Sequence, residues 1–117
     1  MSYSALFDLE HASEIAPLLR WAAERLNDKL SVEDLAAEAA MSPRNFARAF
    51  QRETGVTPAK AVERLRLDRA RADLEDGALS VERIAEASGF GDPERMRRAF
   101  LRVYGRPPQD FRRARAS

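Results

Sequence analysis

Between Ile15 and Leu26 the apolar residues Ile15, Leu18, Leu19, Ala22 and Leu26 recur three or four positions apart, the spacing that lines one face of an α-helix. Ser13 is a candidate N-cap for this first helix, and Pro17 is tolerable because it falls in the first turn. The same period returns at Val32, Leu35, Ala36 and Ala39, at Phe46, Ala49 and Phe50, at Val81, Ile84 and Ala85, and at Met96, Ala99, Phe100 and Val103. No stretch alternates with period two between turn signals, as a half-buried strand would. The expected fold class is all-α, with about seven helices.

The pattern also repeats. SVEDLAAEAAM, from Ser31, matches SVERIAEASGF, from Ser80, at an offset of 49, and after one extra residue, Gly91, SPRNFARAFQRETGVTP matches DPERMRRAFLRVYGRPP at an offset of 50. The pairs Leu35/Ile84, Ala36/Ala85, Pro43/Pro93, Phe50/Phe100, Gly55/Gly105 and Pro58/Pro108 form the shared framework. Ser31 and Ser80 each precede a short helix of about ten residues, and only Ser31, with Asp34 three positions on, approximates a capping box. After a break, Ser42 with Pro43 and Asp92 with Pro93 supply an N-cap followed by a proline at the first helical position. Each second helix ends before a glycine suited to a left-handed C-terminal residue. Short helix, tight turn and second helix make a helix-turn-helix, present twice.

Thr57 and Pro58 open a long helix that Gly77 ends after Asp76. Its apolar residues fall in two sectors, Ala59, Val62, Leu65 and Ala72 on one side and Leu67, Ala70 and Leu74 on another, so it is suited to pack on two lobes. Its nineteen residues span roughly 28 Å, near the roughly 34 Å between successive major-groove faces on one side of B-DNA. A short closing helix is expected from Pro108 to Arg115. The domain organisation that follows is a linker over 1–14, a first helix-turn-helix subdomain over 15–56, a linker helix over 57–77 and a second helix-turn-helix subdomain over 78–117.

Composition narrows the class. The 117 residues suffice for one compact domain or two very small ones sharing a core, and no apolar run approaches the roughly 20 residues of a membrane span. With no cysteine and no basic-then-apolar start, the expected location is cytoplasmic, with no membrane partner. The net charge of +1 conceals a gradient: −5 over 1–41, +2 over 42–79 and +4 over 80–117. Such polarity suits a chain whose basic side meets a polyanion.

Removing the buried positions from the second helix of each unit leaves Arg44, Asn45, Ala47, Arg48, Gln51 and Arg52 in the first, and Glu94, Arg95, Arg97, Arg98, Leu101 and Arg102 in the second. Arginine can pair with guanine O6 and N7, Asn and Gln with adenine, and Glu with cytosine N4, best from the N-terminal part of a recognition helix. The candidate base readers are therefore Arg44, Asn45, Ala47, Arg48, Glu94, Arg95, Arg97 and Arg98, with Arg44, Arg48, Arg97 and Arg98 preferred. Gln51, Arg52, Arg102, Arg112 and Arg113 suit phosphates, which position a protein without reading sequence. One Arg-rich helix face alone is an ordinary solvated surface, and Glu94 with Arg98 a simple i,i+4 pair; two such faces on a repeated unit point to DNA. Phe46, Phe50, Phe90, Phe100 and Tyr104 lie at core spacings, and Trp21 lies beside its helix's stripe, so all six are packing residues. His11 is the lone histidine, no glycine-rich phosphate loop is present, and no catalytic or metal-ligand constellation can be assembled. No enzymatic activity and no cofactor are expected.

From about Ile15 to Arg113 the chain resembles the C-terminal DNA-binding domain of the AraC/XylS family of bacterial transcription regulators. IAEASGFGDPERMRRAFLRVYGRPPQDFR carries the resemblance most specifically, with Ile-Ala, Gly-Phe, a second helix ending in Ala-Phe, then Gly, Pro and a closing aromatic-Arg; LAAEAAMSPRNFARAFQRETGVTPAKAVERLRLDRA matches the first half. SPRNFARAF and GFGDPERMRRAF look most like the branch in which this domain follows a DJ-1/PfpI-like effector domain, which would make 1–14 the end of an interdomain linker. The resemblance implies that Pro43 to Glu53 and Pro93 to Tyr104 enter the major groove. Two departures stand out: Ala40 replaces the usual turn glycine, at a cost of roughly 1 to 2 kcal/mol in a left-handed conformation, and Arg95-Met96 replaces a small-polar or aromatic pair.

The reading is sequence-specific binding of double-stranded DNA by a transcriptional regulator, two recognition helices entering adjacent major-groove segments. The alternative is a helical protein-interaction module that binds an acidic partner such as another subunit or RNA polymerase and not DNA. A third reading has DNA binding depend on dimerisation by an effector domain outside this chain.

Overall fold

Capping chemistry fixes where the helices begin. In a computed structural model that describes residues 15–112, the Asp34 N–H donates to Ser31 Oγ at 3.1 Å and the Ser31 N–H donates back to Asp34 Oδ2 at 3.2 Å, a complete capping box. The Ser31 hydroxyl also donates to Asp34 Oδ2, at 2.7 Å, and this bond, with the one from the Ser31 N–H, holds the Asp34 carboxyl below its ordinary pKa. Ser42, Ser80 and Asp92 likewise accept from the backbone N–H groups of Asn45, Arg83 and Arg95 at 3.3, 3.2 and 2.9 Å. Pro43 and Pro93 follow two of these caps, where a missing N–H costs nothing.

Six α-helices result: α1 Ile15–Ala23, α2 Val32–Glu38, α3 Pro43–Thr54, α4 Pro58–Asp76, α5 Val81–Ala87 and α6 Pro93–Tyr104, followed by a 3-10 turn over Pro108–Phe111. There is no strand among the described residues. The all-α expectation and the bounds of α4 agree with the structure. Three details differ. Helices α2 and α5 are seven residues long, because positive-φ residues, Ala40 at 58° and Gly89 at 89°, arrest them. Helix α1 stops at Ala23 and loosens into turns, in which the Arg25 N–H donates to Ala22 O at 2.9 Å, yet Leu26 stays buried. The closing helix is reduced to a 3-10 turn, since Arg112 turns extended, at φ −72° and ψ 130°. Ser13, His11 and Arg113 lie outside the described residues.

Contacts divide the chain into two compact units, one through Leu65 and the other from Arg66. The first core gathers Leu18, Leu19, Ala22, Leu35, Phe46 and Phe50 with Ala61, Val62 and Leu65 of α4. The second gathers Ile84, Ala85, Met96, Ala99 and Phe100 with Leu67, Ala70 and Leu74 of α4. Each half of α4 therefore serves one core, which explains two exceptions to the sector reading. Ala72 has the right angular position for the first sector but lies in the C-terminal half, and Ala59 points with the second sector but lies at the N-terminal end; both are exposed. Ala61, absent from the sector assignment, is buried.

The aromatic residues pack as expected. Phe46, Phe50 and Phe100 are buried and Trp21, Phe90 and Tyr104 half-buried; Phe46 and Phe50 have ring centroids 5.6 Å apart, and Phe100, Tyr104 and Phe111 stack mutually at 5.1 to 5.4 Å. The Arg25 guanidinium lies 4.6 Å from the Trp21 ring centroid, a cation–π contact.

Candidate nucleic-acid interface

The one-residue difference between the repeats is absorbed in the turn. In the first unit the Met41 N–H donates to Ala36 O at 2.9 Å; in the second the corresponding closure is made by the Gly91 N–H to Ala85 O at 3.0 Å. Gly91 adopts a φ of 93°, and a Cβ there would meet no neighbouring atom, so its backbone conformation and not lack of space calls for glycine. Both second helices then start from an equivalent cap and bury equivalent seams, Phe46 and Phe50 in α3, Met96, Ala99 and Phe100 in α6.

Burying those seams turns the remaining residues outward. On α3, Arg44, Asn45, Arg48, Gln51 and Arg52 are exposed and Ala47 is half-buried. On α6, Glu94, Arg95, Arg97, Arg98 and Arg102 are exposed, together with Leu101, a large apolar side chain in a basic surround. Both helices thus present a basic face set by the core on the opposite side, in a form suited to the floor of a major groove.

The electrostatics of the two faces differ. Glu94 Oε2 accepts from Arg97 Nη1 at 3.3 Å and from Arg98 Nε at 3.2 Å, and Arg95 Nε lies 3.8 Å from Asp92 Oδ2. The i,i+4 pair with Arg98 is expected from the sequence; the i,i+3 contacts to Arg97 and from Asp92 to Arg95 escaped it, although helical spacing contains that signal. No carboxylate partner of Arg44, Arg48 or Arg52 occurs among the described residues.

Arg112, expected to contact phosphate, also makes a contact within the fold. It is half-buried, and its Nη2 donates to Leu79 O at 2.6 Å, across 33 residues of sequence. One nitrogen of the guanidinium is thereby committed to holding the closing turn. No group of three or more His, Cys, Asp or Glu side chains suited to a metal ion occurs among the described residues. No helix among them is long and apolar enough to cross a membrane.

A model described as a helix-turn-helix domain matches residues 35–114. A transcriptional regulator from Chromobacterium violaceum, described as containing an AraC-type DNA-binding domain, superposes with a TM-score of 0.71 at 27% identity, over 86% of this chain and 93% of that one. The chain belongs to the AraC-type helix-turn-helix family. The DNA-binding domain of AdpA, a global transcriptional factor solved in complex with a target DNA, superposes with a TM-score of 0.76 at 36% identity, over 82% of this chain and 86% of that one. The HTH-type transcriptional regulator Rv1931c of Mycobacterium tuberculosis is 46% identical over 83 residues, which are 71% of this chain and 32% of that protein. The chain spans about a third of the length of the curated relatives it matches.

Proposed function

We propose that this chain binds double-stranded DNA sequence-specifically as the DNA-binding part of a bacterial transcriptional regulator. The observation that carries the reading is the pair of basic faces on α3 and α6, each exposed by the same capped, core-anchored helix-turn-helix. The two helices enter adjacent major-groove segments. Arg44, Asn45, Ala47 and Arg48 of α3, and Glu94, Arg95, Arg97 and Arg98 of α6, face base edges; Gln51, Arg52 and Arg102 face phosphates. Arg113, outside the described residues, remains in the phosphate set on its charge alone. Likeness to a domain solved on its target DNA supports the reading.

The wider protein is part of the proposal. The SPRNFARAF and GFGDPERMRRAF segments support a place in the branch with an N-terminal DJ-1/PfpI-like effector domain; a cytoplasmic location and RNA polymerase as a further partner belong to the same proposal without resting on those segments. The DNA reading rests on this chain's own surface and is tested without those parts. Selection from a random duplex pool, with nonspecific competitor at roughly 0.1 to 0.2 M salt, is expected to enrich one motif with two half-sites. Enrichment of no motif, with DNA left unbound, returns the chain to the protein-interaction class.

A further inference from the structure

The two recognition helices carry the same formal charge in different arrangements. Residues 42–54 hold Arg44, Arg48 and Arg52 against Glu53, and residues 92–104 hold Arg95, Arg97, Arg98 and Arg102 against Asp92 and Glu94, a net +2 in each. Helix α3 starts from the neutral cap Ser42 with no acidic residue in its first turn. There the partial positive charge of the helix N-terminus and Arg44 reinforce one another. Helix α6 starts from Asp92 with Glu94 in its first turn, so its N-terminal charge is offset.

The side chains follow that distribution. Arg97 and Arg98 both reach Glu94, at 3.3 and 3.2 Å, and Arg95 reaches Asp92 at 3.8 Å. A groove at the start of α6 is lined by Glu82, Asp92 and Glu94 together with Arg97, which adds a third carboxylate to this end of the helix. We infer that Glu94 is a specificity-determining residue that withholds Arg97 and Arg98 from phosphates and releases them only to a base sequence that satisfies all three side chains. The inference rests on the DNA-binding reading above.

The physical argument concerns what each kind of DNA offers. Nonspecific binding is driven by cations neutralising phosphates and releasing counterions. On α6 a carboxylate lies among those cations, cancelling part of their field and repelling the backbone. Groove edges resolve the conflict where cytosine N4 donates to Glu94 and guanine O6 and N7 accept from an arginine. Discrimination then arises because the wrong sequence leaves Glu94 facing acceptors or phosphate. Helix α3, with no such carboxylate, supplies the sequence-tolerant attraction of the first encounter.

Fluorescence anisotropy titrations of the whole chain, using a selected duplex and a scrambled duplex of equal composition across a salt series, test this. Glu94→Gln is expected to bind the scrambled duplex about threefold to tenfold more tightly and to steepen its log–log salt slope by about one. Affinity for the selected duplex should rise less, so the ratio between the two falls. Glu24→Gln removes the same charge from another ion pair, Glu24 with Arg25 at 3.6 Å, and should leave the ratio unchanged. A Glu94→Gln chain with the wild-type ratio, or with the same change as Glu24→Gln, overturns the inference while leaving DNA binding intact. A wild-type chain that binds both duplexes alike overturns the DNA reading together with it.

Discussion

Arg112 Nη2 donates to the carbonyl oxygen of Leu79 at 2.6 Å, tying the closing turn of the second unit to the residue that precedes the Ser80 cap of α5. Beside it, Phe111 packs on Phe100 and Tyr104 and lies under the guanidinium groups of Arg71 and Arg106, at 4.8 and 5.5 Å from its ring centroid. An arginine used this way stabilises the fold around α6 before it can contribute to a ligand.

Arg112→Ala is therefore expected to destabilise the second unit by about 1 to 3 kcal/mol, since a half-buried carbonyl loses a charged donor. Arg52→Ala, on an exposed face, should stay within about 0.5 kcal/mol. Chemical denaturation of the two variants separates them. Equal stabilities would return Arg112 to the surface set.

Ala40 holds a φ of 58° at the turn where the second unit has Gly89 at 89°. Its Cβ opposes that conformation, so Ala40→Gly should stabilise the chain by up to about 1 kcal/mol, after the entropy a glycine adds to the unfolded chain. A rise in melting temperature is the expected readout. The reverse change, Gly89→Ala, should lower it.

The Ser31 cap makes a prediction with a pH sign. Ser31→Ala should cost about 1 kcal/mol by orphaning the start of α2. Asp34 adds a titrating component, because Ser31 depresses the pKa of its carboxyl in the folded chain. Its contribution is complete above the unfolded carboxylate pKa, about 4, and disappears as pH falls through the lower folded value. The gap in melting temperature between wild type and Asp34→Ala should accordingly be present at neutral pH and close in acid. A gap that widened on acidification would have the wrong sign.

Base-reading and phosphate-holding arginines should separate in a binding matrix. Arg48→Ala and Arg98→Ala are each expected to cost about 1 to 3 kcal/mol on the selected site and to relax preference at one base position. Arg52→Ala should weaken all sequences alike and reduce the salt slope by about one. Profiling each variant against every single-base change of the site checks the sorting. Indistinguishable profiles would reject it.

Local chemistry was legible in the sequence where it acts locally. Ser31, Ser42, Ser80 and Asp92 cap as their spacing predicts, Pro58 and Gly77 bracket α4, and Ala40 sits in the left-handed region that its place in the repeat requires. The repeat also set out which side of α3 and α6 is buried. What escaped depends on packing between distant segments. The angle of Ala72 was legible, but not which half of α4 each core covers; Ala59 was set in the sector opposite to the one it points with, and the 2.6 Å reach of Arg112 to Leu79 spans 33 residues with no periodic signal. The double claim on Glu94 lay between these cases, since both arginines stand at helical spacing and only the rotamers show that one carboxylate serves both.

Hydroxyl-radical footprinting on a selected duplex tests the central claim most directly, with the wild-type chain beside Arg48→Ala and Arg98→Ala. Two protected major-groove segments about one helical turn apart, roughly 34 Å, are predicted, with Arg48→Ala weakening one and Arg98→Ala the other. A duplex left unprotected at roughly 0.15 M salt, or a single protected segment indifferent to both substitutions, would contradict the account.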